Sequence, residues 1–325
     1  QMAEVFAKVA LARRNPDLPV LITGETGVGK EVIARAINFG TGRPKIDVDC
    51  AAIPEALFES EFFGHKRGGF TGADRDKLGK FQLAHKGDLF LDEIGNLRLQ
   101  DKFLRAVQDK VITPVGGTAT QKVDVRIIAA TNADLVTLAA SGKFRRDLLE
   151  RLKGVWIQIP PLRERPEDIQ PLVEALIAKS EKPNIKIAQT CLNLLKSFSW
   201  PGNVRQLELV VKEMLARCHT DQLTIMQFSQ EFKDMLAVDL KLCTSTNLDD
   251  APKSSTPSRF YEIPLQGTLA EVTDQFLASY LLDRFKRLGG NANKTELARD
   301  LGVSRNTIIQ YVKDLSIDLP EVADA

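Results

Sequence analysis

"PVLITGETGVGKEVIARAINFG" occupies residues 19–40, and its reading decides the fold. "PVLITG" (19–24) is a short apolar run ended by glycine, as a buried strand is. "EVIARAINFG" (31–40) spaces its apolar residues as a helix does and closes on a glycine stop. Between them "GETGVGKE" (24–31) leaves a strand and opens a helix, the context a phosphate-binding loop needs. Gly24, Gly27 and Gly29 let backbone N–H groups turn inward around phosphate oxygens, with Glu25, Thr26 and Val28 completing the loop. The helix N-terminus adds its partial positive charge. Lys30 reaches the β- and γ-phosphates as a point charge. The strict pattern next asks for Ser or Thr, whose hydroxyl meets Mg²⁺, and this chain has Glu31. On this motif alone, a glycine-rich turn beside a surface lysine stays open as the alternative.

The next strand downstream narrows it. "GDLFLDEI" (87–94) is a buried run that ends in Asp92 and Glu93, which puts two carboxylates at the carboxyl edge of a sheet. Ligands of open α/β sheets bind at that edge. Asp92 suits an Mg²⁺–water shell, and Glu93 suits orienting and deprotonating an attacking water. Together with the loop, the pair implies ATP hydrolysis. "VDVRIIAATN" (123–132) ends in Thr131 and Asn132 at the same edge, placed to sense a γ-phosphate or position the water. "GVWIQIP" (154–160) reads as a fourth strand. Strand-like and helix-like segments alternate through this half, which predicts an α/β layer fold on a parallel sheet. "GKFRRDLLERL" (142–152) carries Arg145, Arg146 and Arg151. They read either as a solvated basic face or as arginines reaching a neighbouring subunit's ATP, which needs a head-to-tail ring.

After Pro160-Pro161 the character changes. "RPEDIQPLVEALIAKS", "AQTCLNLLKSF", "PGNVRQLELVVKEMLARC" and "TIMQFSQEF" are all helical in period. The organisation read from this is an α/β subdomain over 1–160, a helical lid over 161–242, a Ser/Thr/Asp/Pro-rich linker over 243–264 and a last helical unit over 265–325. Formal net charge is +1, so no global charge argument favours nucleic acid or a membrane. The apolar runs fall short of the ~20 residues of a membrane span. Four scattered cysteines and three histidines argue against a structural zinc and for reduced, buried thiols in a cytoplasmic protein. The chain opens at Gln1 in what already reads as a helix, as though inside a longer protein.

"GETGVGKE", "FFGHKRGGFTGA", "GDLFLDEI", "VRIIAATNADL", "FRRDLLERL", "PPLRERPEDI" and "WPGNVRQLE" occur in this order. In them, Val5 to Phe232 resembles the AAA+ activators of bacterial sigma-54 RNA polymerase. A Glu after the loop lysine is usual there, so the resemblance removes the objection raised by Glu31. It implies an AAA+ parallel sheet with a helical lid, and ATP and Mg²⁺ as cofactors. It also implies a hexameric or heptameric ring. Lys30 is implied to bind phosphate, Asp92 to serve the metal and Glu93 the water. Thr131 and Asn132 resemble the first sensor and Arg205 the second. Arg145 and Arg151 match interface arginines, with Arg151 the better candidate to reach across. Gly68, Gly69, Phe70, Thr71, Gly72 and Ala73 resemble the mobile pore loop that grips sigma-54, with Phe70 and Thr71 making the contact.

Two positions depart from the family pattern. Gly69 stands where Ala is usual, and the expectation is a looser loop with a weaker grip. Asp49, in "DVDCAAI" (47–53), stands where an Asn usually holds the catalytic Glu through its amide. A carboxylate cannot donate to Glu93 unless one of the two is protonated. Either Asp49 points elsewhere, or ATPase control is altered.

"NKTELARDLGVSRNTIIQYVKDL" (293–315) reads as helix, short turn, helix. This spacing suits a helix-turn-helix in which Ser304, Arg305, Asn306, Thr307 and Gln310 reach base edges or phosphates. Charge does not decide it: residues 259–317 hold eight Lys or Arg against seven Asp or Glu. "GGNANKTELARDLGVSRNTI" is similar to the Fis-type unit that closes many sigma-54 activators. That resemblance implies paired subunits on palindromic double-stranded DNA sites. The leading reading is thus a ring ATPase that remodels sigma-54 polymerase. The alternative is a DNA-binding regulator whose ATP binding only controls assembly.

Overall fold

A computed structural model describes residues 1–245 and, beyond them, Arg305, Asn306 and Ile309. The chain divides into two compact units. The first comprises Gln1–Arg165 with Gly202–Arg205, and the second begins at Pro166 and resumes at Gln206.

The first unit is built on five parallel strands: β1 (Val20–Thr23), β2 (Lys45–Asp49), β3 (Gly87–Asp92), β4 (Val125–Thr131) and β5 (Val155–Gln158). Their spatial order is β2-β3-β4-β1-β5. β1 pairs with β4 through Val20↔Ile128 to Thr23↔Thr131, and with β5 through Val20↔Val155. The central strands are apolar at nearly every position because both faces of the sheet are covered. Alternation sends Leu21, Leu89, Leu91, Ile127 and Ala129 into one core. It sends Val20, Ile22, Phe90, Ile128 and Ile157 into the other, where Val5 and Val9 of α1 (Met2–Arg14) and Ile33 and Ile37 of α2 (Lys30–Asn38) cover them.

Four of these strands are those read from the sequence. β2 is an addition: Lys45, Asp47 and Asp49 alternate with Ile46 and Val48, a half-polar strand at the sheet edge. It pairs with β3 so that Asp49 lies level with Asp92.

At the opposite, amino-terminal end of the sheet sits a buried charge. Asp88 is fully buried and accepts from Arg126 at 2.9 and 2.6 Å and from Asn38 at 2.7 Å. Arg126 also donates to the Ala12 carbonyl at 2.9 Å, which ties α1 to the sheet.

The helix α3 (Glu55–Phe63) contributes an aromatic block. The Phe62 ring lies 4.5 Å from Phe58, 5.8 Å from Phe103 and 6.3 Å from Phe81. The loop 64–79 leaves from this block and returns to it, so its ends are fixed.

The second unit is helical: α4 (Ile169–Ala178), α5 (Gln189–Ser197), most of α6 (Asn203–Arg217) and α7 (Gln230–Ser245). α7 runs past residue 242, where the linker was read to begin. Trp200 anchors this core, stacked on Phe232 at 5.6 Å, with its indole N–H on the Leu195 carbonyl at 2.7 Å. Cys50, Cys191 and Cys218 are buried free thiols. Among the described residues no helix is long and apolar enough to cross a membrane. Of the helix-turn-helix candidates, Arg305 and Asn306 are helical and exposed. Ser304, Thr307 and Gln310 lie outside the described residues, as does most of the linker.

Candidate functional site

The carboxyl ends of β1, β3 and β4 meet at one edge. Leaving β1, the chain makes the turn Gly24–Gly29, with the N–H of Gly24 on the Thr131 carbonyl at 3.3 Å. Gly29 takes φ 104°, a left-handed value only glycine adopts without strain. A Cβ on Gly27 would lie 2.4 Å from the Gly202 carbonyl oxygen, so that position needs glycine for close approach.

Lys30 is buried, and its ammonium donates to the carbonyls of Gly24 at 3.0 Å and Glu25 at 3.2 Å. Burial lowers its pKa. The charges of Glu93 and Asp92 oppose that shift, and Arg205 adds to it. All four side chains therefore share one electrostatic site. Glu31 faces away from this chemistry, in an ion pair with Arg35 at 2.5 Å.

Asp92 ends β3 and accepts the Glu93 N–H at 3.0 Å. Glu93 itself sits at φ 49°, ψ 49°, rare for a residue with a Cβ. Strain of this kind gathers at functional sites. Asn132 donates to the Thr26 hydroxyl at 2.9 Å, which puts the side chain just past the end of β4 on the phosphate loop. Thr131 is fully buried and its hydroxyl takes the Ala133 N–H at 3.0 Å. The two residues thus divide: Asn132 touches the loop, and Thr131 shapes the turn.

Asp49 is exposed and its Oδ1 accepts the Ala51 N–H at 2.9 Å. No hydrogen bond joins it to Glu93 among the described residues. Beside it, burial and the charges of Asp49, Asp92 and Glu93 push the Cys50 thiol up to about 12, so it stays protonated.

Arg145 is committed within its own subunit. It grips Asp147 through two bonds at 3.0 and 2.7 Å and also pairs with Asp101. Arg151, on the helix Arg146–Leu152, is exposed and has no ion-pair partner among the described residues.

The loop Gly68–Ala73 closes on itself, with the Gly68 N–H on the Ala73 carbonyl at 2.8 Å. Gly68 and Gly72 take φ 76° and 95°. Thr71 is exposed. Phe70 keeps 40% of its surface exposed while its edge meets the His65 ring at 4.9 Å. His65 is in turn held by Ser60 at 2.7 Å. Gly69 has a reason other than the expected looseness. A Cβ there would meet the Val115 carbonyl at 2.9 Å, the Lys66 carbonyl at 3.0 Å and Gly116 Cα at 3.2 Å. Glycine at 69 lets two backbones lie in contact.

Sequence reading missed a group of residues behind the phosphate loop. Arg163 donates twice to the Glu25 carboxylate, at 2.9 and 2.6 Å. Asn203, fully buried, donates to Glu25 at 3.0 Å and to the Thr26 carbonyl at 3.1 Å, and accepts the Leu162 N–H at 2.8 Å. Hydrogen bonds from Arg163 and then Asn203 hold the Glu25 carboxyl down to about 2. Both residues lie in motifs quoted above, but they are about 140 and 180 positions from the loop, and spacing carries no signal over that distance.

Residues 1–158 match the family described as the sigma-54 interaction domain, and residues 163–240 match the AAA+ ATPase lid domain. The DNA-binding transcriptional regulator NtrC of Azospirillum brasilense is 37% identical over 340 residues, covering 98% of this chain and 68% of the relative. The transcriptional regulatory protein ZraR of Klebsiella oxytoca is 39% identical, covering 90% of this chain and 62% of the relative. A crystal structure of NtrX from Brucella abortus in complex with ATP superposes with a TM-score of 0.62 at 30% identity, over 97% of this chain and 68% of that one. The chain thus spans about two thirds of the length of these relatives.

Proposed function

The chain belongs to the sigma-54-dependent transcriptional activators, AAA+ ATPases with a helical lid, and we propose that it hydrolyses ATP in a ring to remodel the sigma-54 polymerase closed complex. The observation that carries this is the convergence at one sheet edge of Lys30, Asp92, Glu93 and the Asn132–Thr26 bond. The ATP complex of the similar NtrX from Brucella abortus supports ATP as the nucleotide.

Lys30 exchanges its bonds to the loop carbonyls for phosphate oxygens, which suit its charge better. Glu93 orients the attacking water and takes its proton. Asn132 fixes Thr26 and the near side of the loop. Arg205 adds positive charge from the start of α6. Asp92 offers the hard oxygen donors that Mg²⁺ prefers. Asp92 would hold a bound Mg²⁺, which would supply charge neutralisation at the phosphates. Arg151 of a neighbouring subunit completes the site. Phe70 and Thr71 meet sigma-54, and the apolar area Phe70 exposes fits that contact. Residues 293–315 bind double-stranded DNA as a dimer, with Arg305 and Asn306 at the reading face.

The test is conversion of a sigma-54 polymerase–promoter complex to the open form by the purified chain and ATP. The expected result is opening that disappears in Thr71→Ala and in Glu93→Gln. ATP turnover in assembled rings without opening would overturn the sigma-54 reading and leave the ATPase standing.

A further inference from the structure

Each main-chain carbonyl of the phosphate loop from Gly24 to Val28 has a donor. Lys30 takes those of Gly24 and Glu25. Asn203 Nδ2 takes Thr26 at 3.1 Å, the Arg205 N–H takes Gly27 at 3.2 Å, and an Arg165 guanidinium nitrogen takes Val28 at 3.0 Å. The N–H groups of Thr26, Gly27 and Gly29 have no acceptor among the described residues. The loop is therefore polarised, carbonyls turned back into the protein and amides left for an anion. Three of those five carbonyls depend on residues that follow β5 in the chain.

We propose that Arg163 and Asn203 are positioning residues for the nucleotide: with Glu25 they clamp the phosphate loop in its phosphate-accepting shape. This rests on the ATPase reading above and deepens it. Asn203 spends both amide hydrogens and its oxygen on the clamp, at a left-handed φ of 52° that Asn tolerates better than most residues. It therefore has no isosteric substitute: Asp loses both donors and faces the Glu25 carboxylate. The close approach of Gly27 to the Gly202 carbonyl shows that the loop and the 202–205 turn meet backbone to backbone. Residues Gly202–Arg205 belong to the same compact unit as the loop. A preformed loop avoids the ordering entropy that binding would otherwise cost. Loss of the clamp should thus appear mainly in nucleotide affinity, with the chemistry of Glu93 and Asp92 left in place. Because the Arg205 contact is made by its main-chain N–H, Arg205→Ala leaves the clamp whole.

The experiment measures ATP affinity by titration calorimetry, and kcat and KM by steady-state turnover, on the full chain. Lys30→Ala serves as the control without binding. Arg163→Ala, Asn203→Ala and Glu25→Gln are each expected to raise Kd and KM about tenfold, with kcat at saturation within about twofold. Glu25→Gln combined with Arg163→Ala should be no worse than the weaker single variant, because the two act through one contact. Arg163→Lys should recover part of the affinity and keeps the test open should an alanine variant fail to fold. Unchanged Kd in Arg163→Ala and Asn203→Ala alongside a lowered melting temperature would overturn the proposal and leave a structural brace. Fully additive effects would overturn the pairing. An unsubstituted chain that does not bind ATP would overturn the ATPase reading itself, a result distinct from either.

Discussion

Asp49 lies level with Asp92 across β2 and β3, yet its carboxylate serves its own turn through the Ala51 N–H. Asn at this position keeps that acceptor and adds an N–H₂ group that can hold the Glu93 carboxylate. A hydrogen bond to a charged group is worth about 1.5–3 kcal/mol. Held in the ground state, it lowers basal turnover of Asp49→Asn on the order of tenfold and leaves KM for ATP unchanged. Steady-state hydrolysis with and without sigma-54 checks this, and identical rates for both chains would refute it. Gly69 gives a second prediction. Its Cα lies against Gly116 with no room for a methyl group, so Gly69→Ala must lift the loop off the 114–117 segment. The neighbours are backbone and cannot yield cheaply, so the local cost is about 1–3 kcal/mol. Faster protease cleavage within residues 66–76 is the expected outcome, and an unchanged rate would show that the two loops do not stay docked.

The elements show what periodicity can and cannot carry. β3 was legible because apolar residues ran unbroken into two acids, a pattern that a strand buried on both faces produces. β2 was not, because an edge strand with Lys45, Asp47 and Asp49 on alternate positions looks like a polar loop. The sheet edge that holds the candidate site could be read because Asp92, Thr131 and the residues after them sit at strand ends, where sequence and topology coincide. The Arg163 and Asn203 contacts could not, since they exist only once the chain beyond β5 has returned to the loop with Arg163 and the 202–205 turn. Asp88 belongs to the same hidden class: a buried acid at the start of β3, explained only by Arg126, Asn38 and Arg43 around it. Removing one partner of a buried pair strands the other, at about 3–5 kcal/mol. Arg126→Ala should therefore lower the melting temperature by roughly 10 °C. Because the pair lies at the end of the sheet away from the nucleotide edge, ATP affinity of the folded variant should not change. Calorimetric melting paired with nucleotide titration checks both halves.

At the scale of the whole molecule, the proposed site draws its phosphate loop, metal acid and catalytic glutamate from one subunit, with Arg205 as the arginine beside Lys30. Arg145 is already neutralised by Asp147 and Asp101, and the hydrogen bonds it donates to Asp147 raise its pKa further. Releasing it for phosphate would mean breaking a bidentate pair. Arg151 carries no such commitment among the described residues, although it is exposed and only six positions away. An arginine supplied across an interface is worth about 10³–10⁵ in kcat. Arg151→Ala should thus lose on the order of 10³-fold in kcat, while Arg145→Ala should lose much less. A head-to-tail ring makes a sharper demand. Arg151→Ala keeps an intact phosphate loop, and Lys30→Ala keeps an intact Arg151, so a mixed interface restores one complete site from two inactive chains. Mixing the two should recover measurable turnover that rises with total concentration as rings form. Two variants that stay inactive in every ratio, though they co-assemble, would place Arg151 in its own subunit's site and remove the need for a ring in the chemistry.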